Sequence, residues 1–176
     1  SSLPVMIVGF VLIKFNFIEE VRNIKVIGWT TLIFGILLYL SDRRTTKKTI
    51  NSDLTLKSAL LIGLLQILSL IPGVSRSGIT ITSARALKFN RYDSAKISFL
   101  FSIPTLAAVS IFGFNNLLKS ESFTFSYLMV ISILFSYIFS LITIKYFLRY
   151  IKTFSLDIFV VYRIILGIGL LILAYL

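Results

Sequence analysis

The sequence has no cysteine and no histidine in 176 residues, and only seven carboxylate side chains against eighteen lysines and arginines. Without cysteine there is no disulfide framework and no thiolate chemistry. Without histidine there is no imidazole to serve as a neutral-pH base or metal ligand. The carboxylates (Glu19, Glu20, Asp42, Asp53, Asp93, Glu121 and Asp157) all fall in loops or at the ends of apolar runs. That placement builds no cation cage, so no residue here is assigned to a metal. Proline is confined to Pro4, Pro72 and Pro104. The chain opens Ser1-Ser2-Leu3-Pro4, with no initiator Met, basic leader or cleavage site, so a fragment whose beginning is missing is expected.

What is there is grease. The chain is 57% hydrophobic with a mean hydropathy of +0.95, which points to an all-α integral membrane protein, a polytopic helix bundle forming one membrane domain over 1–176. A formal charge of +11 raises the question of nucleic acid. The basic residues sit in short loops between apolar runs, however, which is a membrane-topology pattern and argues against a nucleic-acid partner. Spans are predicted over Leu3–Ile18, Val26–Leu40 (Trp29 and Tyr39 as interface anchors), Ala95–Phe114, Phe123–Leu148 and Asp157–Leu176. Tyr92-Asp93-Ser94 reads as the turn and N-cap before Ala95, and Pro104 predicts a kink. The loops around 41–57, 85–96 and 145–157 are basic, while 18–25 and 115–122 carry no net charge. The positive-inside rule makes the basic set cytoplasmic and the C-terminus external, provided that 54–87 enters and leaves on one side. A single crossing by 54–87 would break the alternation.

That segment holds the chain's one polar island: Pro72-Gly73-Val74-Ser75-Arg76-Ser77-Gly78-Ile79-Thr80, between the greasy run Leu54–Ile71 and the small-residue run Ile79–Leu87. Pro72 ends the first helix, and Gly73 and Gly78 allow a sharp turn and close approach to a ligand. Irregular backbone at membrane depth is tolerated only when buried in protein or lining a cavity. A second helix beginning near Ser77 would present free N–H groups and its positive dipole end. With the donor fork of Arg76 and the hydroxyls of Ser75, Ser77 and Thr80, this makes an anion site suited to phosphate. The plainer alternative is a kinked turn with Arg76 snorkelling to water. Gln66, ahead of Pro72, faces the same end of the hairpin and either lines the pocket or makes an interhelical hydrogen bond. Arg163, under two turns after Asp157, is expected to snorkel to the cytoplasmic surface, the alternative being that it pairs with a buried group or ligand; Lys14 is expected to snorkel to the outer surface. The Thr80, Ser83, Ala84 and Leu87 face reads as helix packing.

The stretch from Gly63 to Thr80, with its Pro-Gly-x-Ser-Arg-Ser-Gly-x-Thr core, closely resembles the undecaprenyl-diphosphatase family of bacterial membranes, the bacitracin-resistance proteins. The resemblance continues through Phe99–Pro104 and the Tyr162-Arg163 pair. It implies a plasma-membrane hydrolase that converts undecaprenyl diphosphate to the monophosphate and inorganic phosphate, recycling the carrier lipid for wall synthesis. It also implies two inverted repeats, each with a re-entrant hairpin, meeting at a pocket that faces the periplasm. The present chain matches the second repeat, with its hairpin at about 54–87. The resemblance assigns Arg76 and Ser75 to catalysis, and Gly73, Ser77, Gly78, Thr80 and Gln66 to substrate binding. The first repeat's glutamate-rich motif and Ser-Ser-Thr-Gly-His segment are not found here, so the chain alone is expected to be inactive. Any divalent cation, Mg or Ca, would take its ligands outside this stretch. The implied partners are the lipid diphosphate, the membrane and a second copy of the chain. A lipid-phosphate transporter and a purely structural subunit are the rival readings.

Overall fold

The computed structural model describes residues 2–14, 22–44, 47–119 and 127–176. The expectations for Glu19, Glu20 and Glu121 lie outside the described residues, as does the side chain of Lys14. The described residues form helices: α1 (Leu3–Lys14), α2 (Ile24–Asp42), α3 (Ile50–Asp53), α4 (Leu56–Leu65), α5 (Arg76–Ala86), α6 (Arg91–Lys119), α7 (Tyr127–Thr153) and α8 (Asp157–Tyr175). A 3₁₀ turn, Gln66–Leu70, extends α4. Four of these, α2, α6, α7 and α8, are long and apolar enough to cross a bilayer.

The bundle is built on an antiparallel pair, α2 and α8, joined along their length. Glycines make the approach possible. A Cβ on Gly28 would stand 2.7 Å from Leu171 Cδ2, and one on Gly167 would stand 2.6 Å from Leu32 Cγ and 3.2 Å from the Gly28 carbonyl. Lipid offers helices no hydrophobic drive to associate, so small residues at the seam allow the close packing that does. Lys25 at one end of α2 lies 4.4 Å from the Tyr175 ring centroid, and Arg43 just past its other end lies 3.5 Å from Asp157.

At that second end the three basic loops converge on one carboxylate. Asp42 accepts Arg91 Nε and Nη2, each at 2.9 Å, and the Leu156 N–H at 3.3 Å, with Arg85 Nε 3.1 Å away. Loops 41–57, 85–96 and 145–157 thus meet at one end of the bundle. Beneath them lies an apolar cluster of Leu38, Ile81, Ala95, Ile151, Leu156 and Val160. Phe147 bridges α6 and α8, with Phe99 and Phe159 ring centroids at 5.7 and 5.4 Å.

Several expected boundaries move. The run from Leu54 is no single helix: Thr55 caps a new one through a capping box with Ser58, and the last turn tightens to 3₁₀ ahead of Pro72. The helix expected from Ala95 begins at Arg91. Asn90, rather than the Tyr92-Asp93-Ser94 turn, caps it, its Oδ1 accepting the Asp93 N–H at 2.8 Å. An asparagine three residues before a free N–H competes as a cap on equal terms with serine. α4 and α5 have ten and eleven residues; at ~1.5 Å per residue each reaches only about half of a ~30 Å hydrocarbon layer. The segment ahead of α3 is bonded to the one that follows α5: the Lys48 N–H donates to Lys88 O, and the Asn90 N–H to Lys48 O, both at 3.1 Å.

Candidate functional site

Between α4 and α5 the chain reverses at Pro72-Gly73. The Val74 N–H donates to Ile71 O at 3.1 Å and Gly73 has φ +89°, the type II turn that proline followed by glycine favours. The turn is pressed against α2. A Cβ on Gly73 would overlap Thr30 Oγ1 and come within 2.7 Å of Ile27 O. The carbonyls the turn leaves over are taken by α2: Thr30 Oγ1 donates to Pro72 O at 2.6 Å, and Thr31 Oγ1 to Gly73 O at 3.4 Å.

Ser75 follows in extended conformation and caps α5, its Oγ accepting the Gly78 N–H at 3.1 Å and sharing a 3.2 Å hydrogen bond with Ser77 Oγ. The helix therefore starts at Arg76, one residue earlier than predicted. As its first two residues, Arg76 and Ser77 keep N–H groups with no acceptor inside the helix. Ser77 is exposed, while Ser75, Arg76 and Gly78 are half-buried.

Arg163 arrives here from α8, against expectation. Its Nη2 and Cζ lie 3.0 and 3.2 Å from where a Cβ on Gly78 would stand, and Ser75 Cβ lies 3.3 Å from the same point. Its own Cβ passes 3.2 Å from the corresponding point on Gly35. Two glycines on different helices thus form the slot through which this side chain reaches the Ser75 turn instead of snorkelling to the surface. The helical glycines were the signal available in the sequence, but nothing there links them to each other or to residue 163.

Gly73, Ser75, Arg76, Ser77 and Gly78 are thus gathered in one turn. Thr80 and Gln66 face elsewhere. Thr80 is 1% exposed, its Oγ1 within 2.6 Å of Ser98 Oγ on α6 and bonded back to Arg76 O and Ser77 O. Gln66 is fully buried, its Nε2 donating to Thr105 Oγ1 at 3.3 Å. Both hold the hairpin against α6.

The site is cationic. Among the described residues neither Arg76 nor Arg163 has an ion-pair or hydrogen-bond partner for its guanidinium. The described carboxylates Asp42 and Asp157 are engaged at the basic end of the bundle, and Asp53 and Asp93 in the turns beside it. Two guanidiniums, hydroxyls and a helix N-terminus suit an anion with several oxygens. The same donor set does not fit a divalent cation, which needs oxygen ligands, carboxylates foremost; no group of three or more metal-ligating side chains occurs among the described residues.

Residues 1–169 match the family model described as bacitracin resistance protein BacA. Over 176 residues the chain is 51% identical to an undecaprenyl-diphosphatase of Pelagibacter ubique (strain HTCC1062), covering 99% of this chain and 68% of the relative. It is 40% identical over 175 residues to that of Roseobacter denitrificans, covering 99% and 66%, and 42% identical over 176 residues to that of Saccharophagus degradans, covering 99% and 65%. The chain spans about two thirds of the length of the curated relatives it matches.

Proposed function

The chain belongs to the bacitracin resistance protein BacA family, and from that premise we propose that it serves in the hydrolysis of undecaprenyl diphosphate to undecaprenyl phosphate and inorganic phosphate. This recycles the carrier lipid for wall synthesis and confers bacitracin resistance. One observation carries the assignment of the site: Arg163 of α8 reaches the serine-capped helix N-terminus that Arg76 opens, and among the described residues neither guanidinium has an ion-pair partner. In this reading Ser75, Ser77 and the N–H groups opening α5 hold non-bridging oxygens of the diphosphate. Arg76 and Arg163 neutralise the charge that grows on the bridging oxygen as water attacks the terminal phosphorus and the anhydride P–O bond breaks. Catalysis by positioning and charge stabilisation is what phosphoryl transfer chiefly requires. The chain has no histidine, and among the described residues no carboxylate stands at the turn to take the water's proton.

The short α4 and α5, reversing at Pro72-Gly73, support a re-entrant hairpin over about 54–87, the second of two inverted repeats. The convergence of basic loops supports a cytoplasmic placement of that end, with the Ser75 turn opening toward the periplasm. The proposed partners are the lipid diphosphate, the bilayer and a second copy of the chain, with no nucleic acid.

The purified chain is expected to retain undecaprenyl diphosphate but release no phosphate. Joined to the remaining third of the Pelagibacter relative it should release phosphate, and Arg76→Ala in that fusion should slow release roughly a hundredfold. Turnover by the chain alone would place the catalytic base within it; full turnover by the Arg76→Ala fusion would remove the site from this turn.

A further inference from the structure

A cavity of about 620 Å³ opens at the basic end of the bundle, away from the Ser75 turn, lined by Asp42, Arg43, Arg44, Arg85, Arg91 and Lys152. Five cationic side chains there face one carboxylate, and that carboxylate is already engaged. Asp42 has a side chain only 2% exposed, held between Arg85 and Arg91. Arg85 is committed inward as well, to the backbone carbonyls of Phe89 and Asp42. Left facing the cavity are the outer edge of Arg91, whose side chain is 34% exposed, and Arg43, Arg44 and Lys152. The 3.5 Å contact of Arg43 with Asp157 joins two largely exposed groups and is heavily screened by solvent. Lys152 stands 4.5 Å from the centroid of the Tyr92 ring, a contact that positions a cation without cancelling its charge.

Depth identifies what meets this charge. Asp42 closes a nineteen-residue span, while Arg91 and Asp157 open two others. At ~1.5 Å per residue, α2 covers nearly the whole ~30 Å of hydrocarbon. The mouth of the cavity therefore lies at headgroup level, where basic pockets between membrane helices take up lipid phosphate.

We propose that this cavity is a second anion site, distinct from the Ser75 turn, which takes a phosphate group, and that its depth assigns that phosphate to the headgroup of an anionic phospholipid. Arg43, Arg44, Lys152 and the free edge of Arg91 hold the phosphate oxygens, and the buried Arg85–Asp42–Arg91 assembly fixes the floor.

The test uses the purified chain in a neutral detergent, with phosphatidylglycerol, phosphatidylcholine or inorganic phosphate added, and native mass spectrometry to count what stays bound. Phosphatidylglycerol should be retained in roughly tenfold excess over phosphatidylcholine. The triple variant Arg43→Gln, Arg44→Gln, Lys152→Gln should lose that excess, and Arg43→Lys with Arg44→Lys should keep most of it. All three positions are exposed, so the variants should melt with the parent, which a thermal scan checks. Phosphate that binds alone and displaces the lipid supports the anion site with a soluble anion as its occupant. Phosphate without effect supports the lipid. Equal retention of the two lipids with no phosphate bound, or a preference that survives the triple variant, overturns the proposal.

Discussion

Arg76 and Arg163 lie far apart in the chain but meet the same capped turn, and each bears on it through planar geometry as well as charge. A lysine presents a point charge and cannot make two parallel hydrogen bonds to one phosphate. Arg76→Lys in the active fusion should therefore behave much like Arg76→Ala, slowing phosphate release by roughly a hundredfold. Arg163→Lys should also lower release, by about tenfold or more, whereas a side chain snorkelling to water would tolerate the exchange. Near-parental turnover with lysine at both positions would return the motif to a structural kink. Gly78→Ala separates function from stability. Its methyl would meet the far end of the flexible Arg163 side chain at 3.0 Å and Ser75 Cβ at 3.3 Å, so the guanidinium has to move while the Ser75 turn gives by only a few tenths of an ångström. Weaker retention of lipid diphosphate with little change in melting temperature is expected.

At the scale of elements, the hairpin tip and the α2–α8 seam depend on glycine for different reasons. Gly73 has both a positive φ and the Ile27 carbonyl 2.7 Å from any Cβ. The backbone term alone costs about 1–3 kcal/mol, and Ile27 O cannot rotate away. Gly73→Ala should lower the melting temperature in detergent clearly more than Gly78→Ala. Gly167→Ala meets Leu32 at 2.6 Å and the Gly28 carbonyl at 3.2 Å, so α8 must back off from α2. Overpacking of that kind costs about 1–3 kcal/mol, and through Arg163 it should also displace a guanidinium from the site. A Gly167→Ala protein with unchanged melting and unchanged lipid retention would mean that the seam does not position Arg163.

Across the whole molecule, Asp42 ties three loops into one end. Asp42→Asn leaves Arg85, 3% exposed, without its counter-charge, and breaking a buried pair in this way costs about 3–5 kcal/mol. The variant should unfold at much lower temperature, whereas a matched change at exposed Asp157 should matter little. Orientation is tested separately. The chain has no native cysteine, so single cysteines at Lys47 and Leu176 report cleanly with an impermeant reagent on intact cells. Labelling is expected at Leu176 only; labelling at both positions or at neither would put them on one side and mean that the hairpin crosses the bilayer.

Composition and pattern alone determined that this chain lives in a bilayer as helices, because nineteen or more apolar residues between charged loops have no other stable state. They also located the polar turn: proline, two glycines, two serines and an arginine inside a greasy run dictate a break, and a local break is read from local residues. The cap at Ser75 and the type II turn at Pro72-Gly73 are of this kind. Tertiary structure decided what reaches that turn. Arg163 belongs to the site only because Gly35 and Gly78, on separate helices, leave a slot for it. Thr80 and Gln66 face α6 because the hairpin presents its small and polar side to that helix. Near neighbours in sequence prescribe backbone angles, but the direction in which a long side chain leaves its helix depends on the space its packing partners leave open.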